Sequence, residues 1–247
     1  MNKVVVPVSG GIDSTVLLYH AVKSGDFDEV LAINFYYGQR HHKEIDCAII
    51  NQFNLGVENR VLNLEFFEHI NTSSLTNLNI DVAKTRDVLG DAQTVNYVPF
   101  RNQMMLSICC AIAESFGANT VYHGAAQVDT QAGYWDGSIE FLEAINNLTS
   151  LNRKHRIKIE APLIEKSKKE IILWGLEMGI KFEDTWTCYE GKEEACGECT
   201  ACSSRIKGFV DVGISDPLPY AREIPWETLY TTNLDTLTED TYEGGHY

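Results

Sequence analysis

Two stretches of this chain gather side chains that could do chemistry. The first is Ser9-Gly10-Gly11-Ile12-Asp13-Ser14, between a β-branched run at 3–8 and an apolar helical segment. A strand, a glycine turn and a helix start together make an anion site. Glycines let backbone N–H groups approach phosphate oxygens, Ser9 and Ser14 add hydroxyl donors, and the helix N-terminus supplies partial positive charge. A Walker loop is excluded because its lysine is absent, and an ordinary turn capped by Asp13 is the plainer alternative. The second stretch is Cys188-x7-Cys196-x2-Cys199-x2-Cys202, four soft ligands spaced to close around one tetrahedral ion. A site of four thiolates has no open position, so a structural zinc is expected. Buried free thiols, a redox pair and an iron–sulfur cluster are the alternatives that spacing leaves open.

Such groups need a scaffold, and the chain alternates strand and helix patterns. Strands are expected at 3–8, 29–37, 60–64, 120–123 and 157–161, with helices at 13–24, 41–54, 102–116, 138–148, 168–178 and, after the cysteines, near 203–212. Alternation of this kind specifies an α/β fold, a parallel sheet covered by helices. Gly117 and Gly179 stand where left-handed helix caps are wanted. Residues 69–98 read as an irregular excursion beside the site. From 221 onward acids dominate and apolar periodicity is lost, which suggests a mobile or partner-dependent tail.

The 247 residues are 44% hydrophobic, enough for a sizeable core. With 35 acids against 20 basic residues the formal charge is -15, which repels a polyanion. No direct nucleic-acid binding is expected, and a small molecule is the favoured substrate. The amino terminus lacks the apolar region of a signal peptide and no stretch is long enough to span a membrane, so a cytoplasmic protein is expected. Cys47, Cys109 and Cys110 fall in apolar, helix-like surroundings away from the cysteine cluster.

Residues 9–14 resemble the PP-loop, which holds the pyrophosphate of ATP while the α-phosphate is attacked. That alone leaves open tRNA thiolation and lysidine enzymes, amidotransferase synthetases and argininosuccinate-type ligases. Further pieces follow in order. They are Phe35-Tyr36-Tyr37-Gly38-Gln39-Arg40-His41 with Glu44, Tyr97-Val98-Pro99-Phe100-Arg101-Asn102, Gly124 with Asp129, Gly133-Tyr134-Trp135-Asp136, Pro162-Leu163 with Lys168 and Glu170, Thr185-Trp186-Thr187-Cys188-Tyr189, the remaining cysteines and Arg205. Together they resemble the 7-cyano-7-deazaguanine synthases of queuosine-precursor biosynthesis.

The resemblance implies a Rossmann-like PP-loop sheet of the adenine nucleotide alpha hydrolase type over 1–186, a small zinc-binding helical module at 187–213 and a homodimer, and composition leaves an acidic tail at 214–247. It implies two ATP-dependent stages, with ATP and Mg2+ at the site. The carboxylate of 7-carboxy-7-deazaguanine is adenylated and ammonia displaces AMP to give the amide; a second adenylation of the amide oxygen and loss of AMP leave the nitrile. Ser9, Gly10, Gly11, Asp13, Ser14 and Arg40 are expected around the nucleotide. Lys168, Arg101 and Asp129 are the catalytic candidates, the arginines as clamps for phosphate or carboxylate and Asp129 as a magnesium or substrate ligand. Surface ion pairs, a basic face with Lys166 and Lys169, and a plain loop aspartate are their structural counterparts. Phe100, Tyr134, Trp135 and Asp136 are expected at the base, and Cys188, Cys196, Cys199 and Cys202 at zinc.

Family members typically have Pro-Gly-Arg-Asn where Pro99-Phe100-Arg101-Asn102 stands, and Tyr-Pro-Asp-Cys-Arg where Tyr134-Trp135-Asp136-Gly137-Ser138 stands. Phe100 and residues 135–138 are therefore expected to set substrate choice. A reaction that stops at the amide, another deazapurine substrate, and a tRNA-modifying PP-loop enzyme are the alternatives.

Overall fold

Val4, Val5 and Val6 have no solvent exposure because their strand is covered on both faces. In a computed structural model describing residues 1–70, 72–85, 95–127, 129 and 134–231, this strand is β1 (Lys3–Pro7), the centre of a five-stranded sheet. The others are β2 (Glu29–Tyr36), β3 (Glu58–Asn63), β4 (Thr120–Tyr122) and β5 (Lys158–Glu160), all parallel, in the order β3-β2-β1-β4-β5. Alternate side chains point to opposite faces. Val4, Val6 and Ala32 pack with α1 (Ile12–Lys23), while Val5, Leu31 and Ile33 pack with α3 (Arg101–Phe116).

The helix α2 (Lys43–Leu55) joins β2 to β3, α4 (Ile139–Thr149) precedes β5, and α5 (Lys168–Glu177) packs beside α1. The chain steps outward from β1 to β3, then returns through α3 to place β4 on the other side of β1. At such a reversal the two neighbouring strands send their following loops apart, opening a crevice at the carboxyl ends of the strands. Residues 9–14 leave β1 there and residues 123–127 leave β4 there.

The expected alternation of strands and helices is the observed one, with ends shifted by a residue or two. Gly117 and Gly179 hold the left-handed conformation that their positions require, with φ of 77° and 76°. The helix after the cysteines, α6 (Thr200–Val212), starts before the expected 203, because the Cys199 thiol caps it by accepting from the Cys202 N–H. Within the excursion at 69–98 the described residues hold no regular helix beyond a 3-10 turn at Glu65–His69, and Ser73, Ser74 and Asn96 are buried through mutual hydrogen bonds.

Residues 221–231 of the expected tail are folded onto the body. A short helix α7 (Trp226–Thr231) lies on α6, with Ile224 and Leu229 buried against Ile206 and Val210. A six-residue helix is too short to display a periodicity, which hid it in the sequence. Residues 232–247, and Gly133 of the resemblance, lie outside the described residues.

At the start of α5, Ser167 accepts from the Glu170 N–H and the Glu170 side chain returns to the Ser167 N–H, a reciprocal cap. Ser167→Ala is expected to lower unfolding free energy by about 1 kcal/mol in denaturant titrations.

Candidate functional site

The loop after β1 is shaped by two serine hydroxyls. Ser14 Oγ accepts from the N–H groups of Ser9 and Gly10 at 3.1 and 3.3 Å, and Ser9 Oγ accepts from the Gly11 N–H at 3.2 Å. Gly10 has φ of 97°, and a Cβ there would overlap the Glu44 carbonyl of α2. The Gly10 carbonyl in turn accepts from the Trp186 N–H at 2.9 Å. Helix α1 is capped by Gly11, so Asp13 is not a capping side chain. Its carboxylate instead receives the Lys168 ammonium at 2.6 and 2.7 Å, across 155 residues of sequence. Lys168 is thereby brought to the loop rather than left on a basic surface, and its stem lies flat against Gly208 of α6, where any Cβ would collide with it.

Asp129, after β4, lies within electrostatic reach of both groups. Burial and the Asp13 carboxylate push it up to about 6, against the pull of Lys168. A buried carboxyl raised by a neighbouring carboxylate beside an anion-binding loop suits a divalent cation, so Asp13 and Asp129 could hold magnesium. The Tyr134 N–H donates to the Asp129 carbonyl, and Gly137 passes so close that a Cβ would stand 2.6 Å from the Asp129 Cβ.

A second polar cluster lies under α2. Arg101 donates to the Tyr37 hydroxyl at 3.0 Å, and its charge is felt by Tyr189, His41 and Glu44. Burial pushes Glu44 up to about 8, opposed by Arg101 and by the Gln39 amide. Burial, with Arg101 and Arg40, holds His41 down at about 3. The 3.5 Å approach of His41 Nε2 to Glu44 Oε1 therefore joins two neutral groups near pH 7, not an ion pair. His41 Nδ1 is buried without a hydrogen-bond partner among the described residues.

Arg40 faces elsewhere. Its guanidinium donates to the carbonyls of Asn77 and Ile80, tying the excursion to the body. Phe100 is 55% exposed and has φ of 54°, the one positive value among the described non-glycine residues. Its N–H donates to the Tyr97 hydroxyl, which also accepts from the Trp135 indole, and the rings of Phe100 and Trp135 meet edge to face at 5.3 Å. Asp136 is buried, with its carbonyl accepting from His123 Nε2 at 2.9 Å. Ser138 caps α4 by accepting from the Phe141 N–H.

The four thiols of Cys188, Cys196, Cys199 and Cys202 all lie within 4.8 Å of one another. The 3.9 Å between the sulfurs of Cys196 and Cys202 is near the edge of a ZnS4 tetrahedron, ~3.8 Å for Zn–S bonds of ~2.3 Å. Backbone N–H groups point at three of the sulfurs, as thiolates require. Cys47 packs in the same apolar cluster but is not one of the four convergent thiols, and burial above all pushes its thiol up to about 11.

A family model described as "Queuosine biosynthesis protein QueC" matches residues 3–213. The chain belongs to the QueC family. A 7-cyano-7-deazaguanine synthase of a Nitratiruptor species is 39% identical over 88% of this chain and 98% of its own. Another, from Thermoplasma volcanium, is 41% identical over 96% of this chain and 97% of its own. The NMN synthetase of Francisella tularensis shares the fold at 15% identity with a TM-score of 0.51, covering 87% of this chain and 78% of that one. Within the QueC family, the departures at Phe100 and Trp135 form one unit here, since the two rings touch each other. The polar role of Gln39, and the neutral Glu44 beneath Arg101, were not assigned from sequence. Burial, which creates them, leaves no local sequence signal.

Because the folded protein keeps the Glu44 proton to about pH 8 while the free side chain loses it near 4.5, stability falls as pH rises between those values. A tenfold difference in proton affinity between the folded and unfolded chain corresponds to ~1.4 kcal/mol. Glu44→Gln is expected to flatten this slope, so that its stability relative to the natural protein increases from about pH 5 to about pH 8 in denaturant titrations. His41 acts in the opposite direction, below pH 6.5.

Proposed function

We propose that this chain converts 7-carboxy-7-deazaguanine, ammonia and two ATP into 7-cyano-7-deazaguanine. The observation that carries the proposal is the joining of Lys168 and Asp13 beside a lysine-free phosphate loop at the switch point of the sheet, in a chain of the QueC family. A carboxylate resists amines until its oxygen becomes a good leaving group. Adenylation makes it one, and an adenylating site must stabilise the charge on departing pyrophosphate. In this reading Ser9, Gly10, Gly11 and Ser14 bind phosphate oxygens, and Lys168 neutralises charge there while Asp13 orients its ammonium. Arg101 is the clamp for the substrate carboxylate. Its neighbours Tyr37, Tyr189, Glu44 and His41 carry no charge at neutral pH that would cancel its own. Tyr134 and Asp136 flank the base, with Phe100 and Trp135 at its rim.

Magnesium, held by Asp13 and Asp129, would share the phosphate charge when bound. Zinc on the four thiolates would stabilise the fold around 187–213. No helix among the described residues is long and apolar enough to cross a membrane. A homodimer in the cytoplasm, acting on a free small molecule without binding nucleic acid, completes the reading; the acidic charge and the half-buried apolar residues Met104, Ile108 and Ile112 along α3 support it.

Incubation with ATP, magnesium, ammonium and 7-carboxy-7-deazaguanine, followed by mass analysis, is expected to yield the nitrile with two AMP per product. ADP as the sole nucleotide product would exclude adenylation, and accumulation of the amide as end product would shift the assignment to the one-stage reaction. Cys199→Ala is expected to release bound zinc and lower stability by several kcal/mol, since a thiolate site contributes folding energy directly. Elemental analysis and thermal unfolding check this; metal-free protein of unchanged stability would contradict it.

A further inference from the structure

We infer that Arg205, fixed by Asp216, is a positioning residue for the nucleotide loop, a role that rests on the proposed ATP site. Arg205 lies on α6, 1% exposed, far from any solvent that could satisfy its donors. Its guanidinium is fully used. Nε and Nη2 grip Asp216 at 2.6 and 2.9 Å, Nη2 also reaches the Phe182 carbonyl at 2.9 Å, and Nη1 reaches the hydroxyls of Thr185 and Thr187 at 2.9 and 3.2 Å. The side chain of Asp216 is held in turn by the Tyr220 hydroxyl and the Leu218 N–H.

The segment that Arg205 holds, 182–187, contains Trp186, whose N–H is bonded to the Gly10 carbonyl. The Trp186 carbonyl also comes within 3.6 Å of the place where a Gly11 Cβ would be. Packing alone does not explain a buried cation here. An apolar pair of the same volume fills such a space as well or better. Only a planar fork of five donors can hold a carbonyl and two hydroxyls of one segment in a single register. Through that register α6, which starts at two of the four clustered cysteines, determines where residues 9–11 stand.

The test uses the full chain and α,β-methylene-ATP, which cannot be cleaved at the bond that adenylation breaks. Binding by the natural protein comes first; its absence would remove the ATP reading itself. Given binding, Arg205→Lys keeps the charge for Asp216 but loses the fork, and Thr185→Val keeps the shape but removes the hydroxyl that accepts from Arg205 and donates to the Phe182 carbonyl. Val210→Ala, on the same helix and buried against Ile224 and Leu229, lowers stability without touching the segment. Expected are about a tenfold loss of analogue affinity for Arg205→Lys, a smaller loss for Thr185→Val, and none for Val210→Ala, with KM for ammonia within about twofold throughout. Should Arg205→Lys fail to fold, the contrast between Thr185→Val and Val210→Ala decides. Equal analogue affinity across the variants, or parallel losses for analogue and ammonia, would overturn the inference.

Discussion

The site depends on the absence of a side chain at Gly10. Its backbone is pressed on one side against the Glu44 carbonyl of α2 and bonded on the other to the Trp186 N–H. With φ of 97° it also occupies a region that L side chains rarely adopt. Any larger residue would push the loop from α2 or break it from residue 186, and the N–H groups gathered by Ser9 and Ser14 would lose their direction. The phosphate loop is thus defined by close backbone contacts to elements that are distant in sequence. Helix α2, the segment at 182–187 and the cysteine helix α6 all converge on it.

Electrostatics explains how a chain of formal charge -15 can receive polyanions. Positive charge is local and negative charge near it is suppressed. Burial keeps the Glu44 proton in place up to about pH 8, so that carboxyl does not offset Arg101, whose charge is shared with Asp136 instead. Lys168 does share its charge with Asp13, but that pair adjoins Asp129, where a bound divalent cation would reverse the balance. Acidity over the whole surface and a cationic pocket are compatible because the effect of a surface charge fades over about 10 Å in salt while buried groups are screened far less.

Much of this was legible in the sequence. The run 3–8, the glycines that follow and the alternation of helix and strand specify a parallel sheet with a phosphate loop, because period and turn chemistry are local properties. The cysteine spacing was equally local, and the four thiols do converge. What could not be read there is set by packing between distant segments. Lys168 meets Asp13 across the fold, Arg40 turns to the carbonyls of Asn77 and Ile80, and Phe100 rests on Trp135. The last pair also clarifies the departures from the family pattern. A φ of 54° is strained for a residue that carries a ring, and the Tyr97 hydroxyl and the Trp135 ring are what hold Phe100 there. Gly137 and Ser138 are likewise constrained, one by the closeness of Asp129 and the other by its capping of α4.

The central claim is that the loop at 9–14 serves the attack of a substrate oxygen on the α-phosphate of ATP. Turnover with 7-carboxy-7-deazaguanine carrying heavy oxygen at both carboxylate positions tests it most directly. Adenylation of the acid and then of the amide predicts one labelled oxygen in each of two AMP molecules, with unlabelled pyrophosphate. Label found in inorganic phosphate, or released into water with none in AMP, would contradict the account.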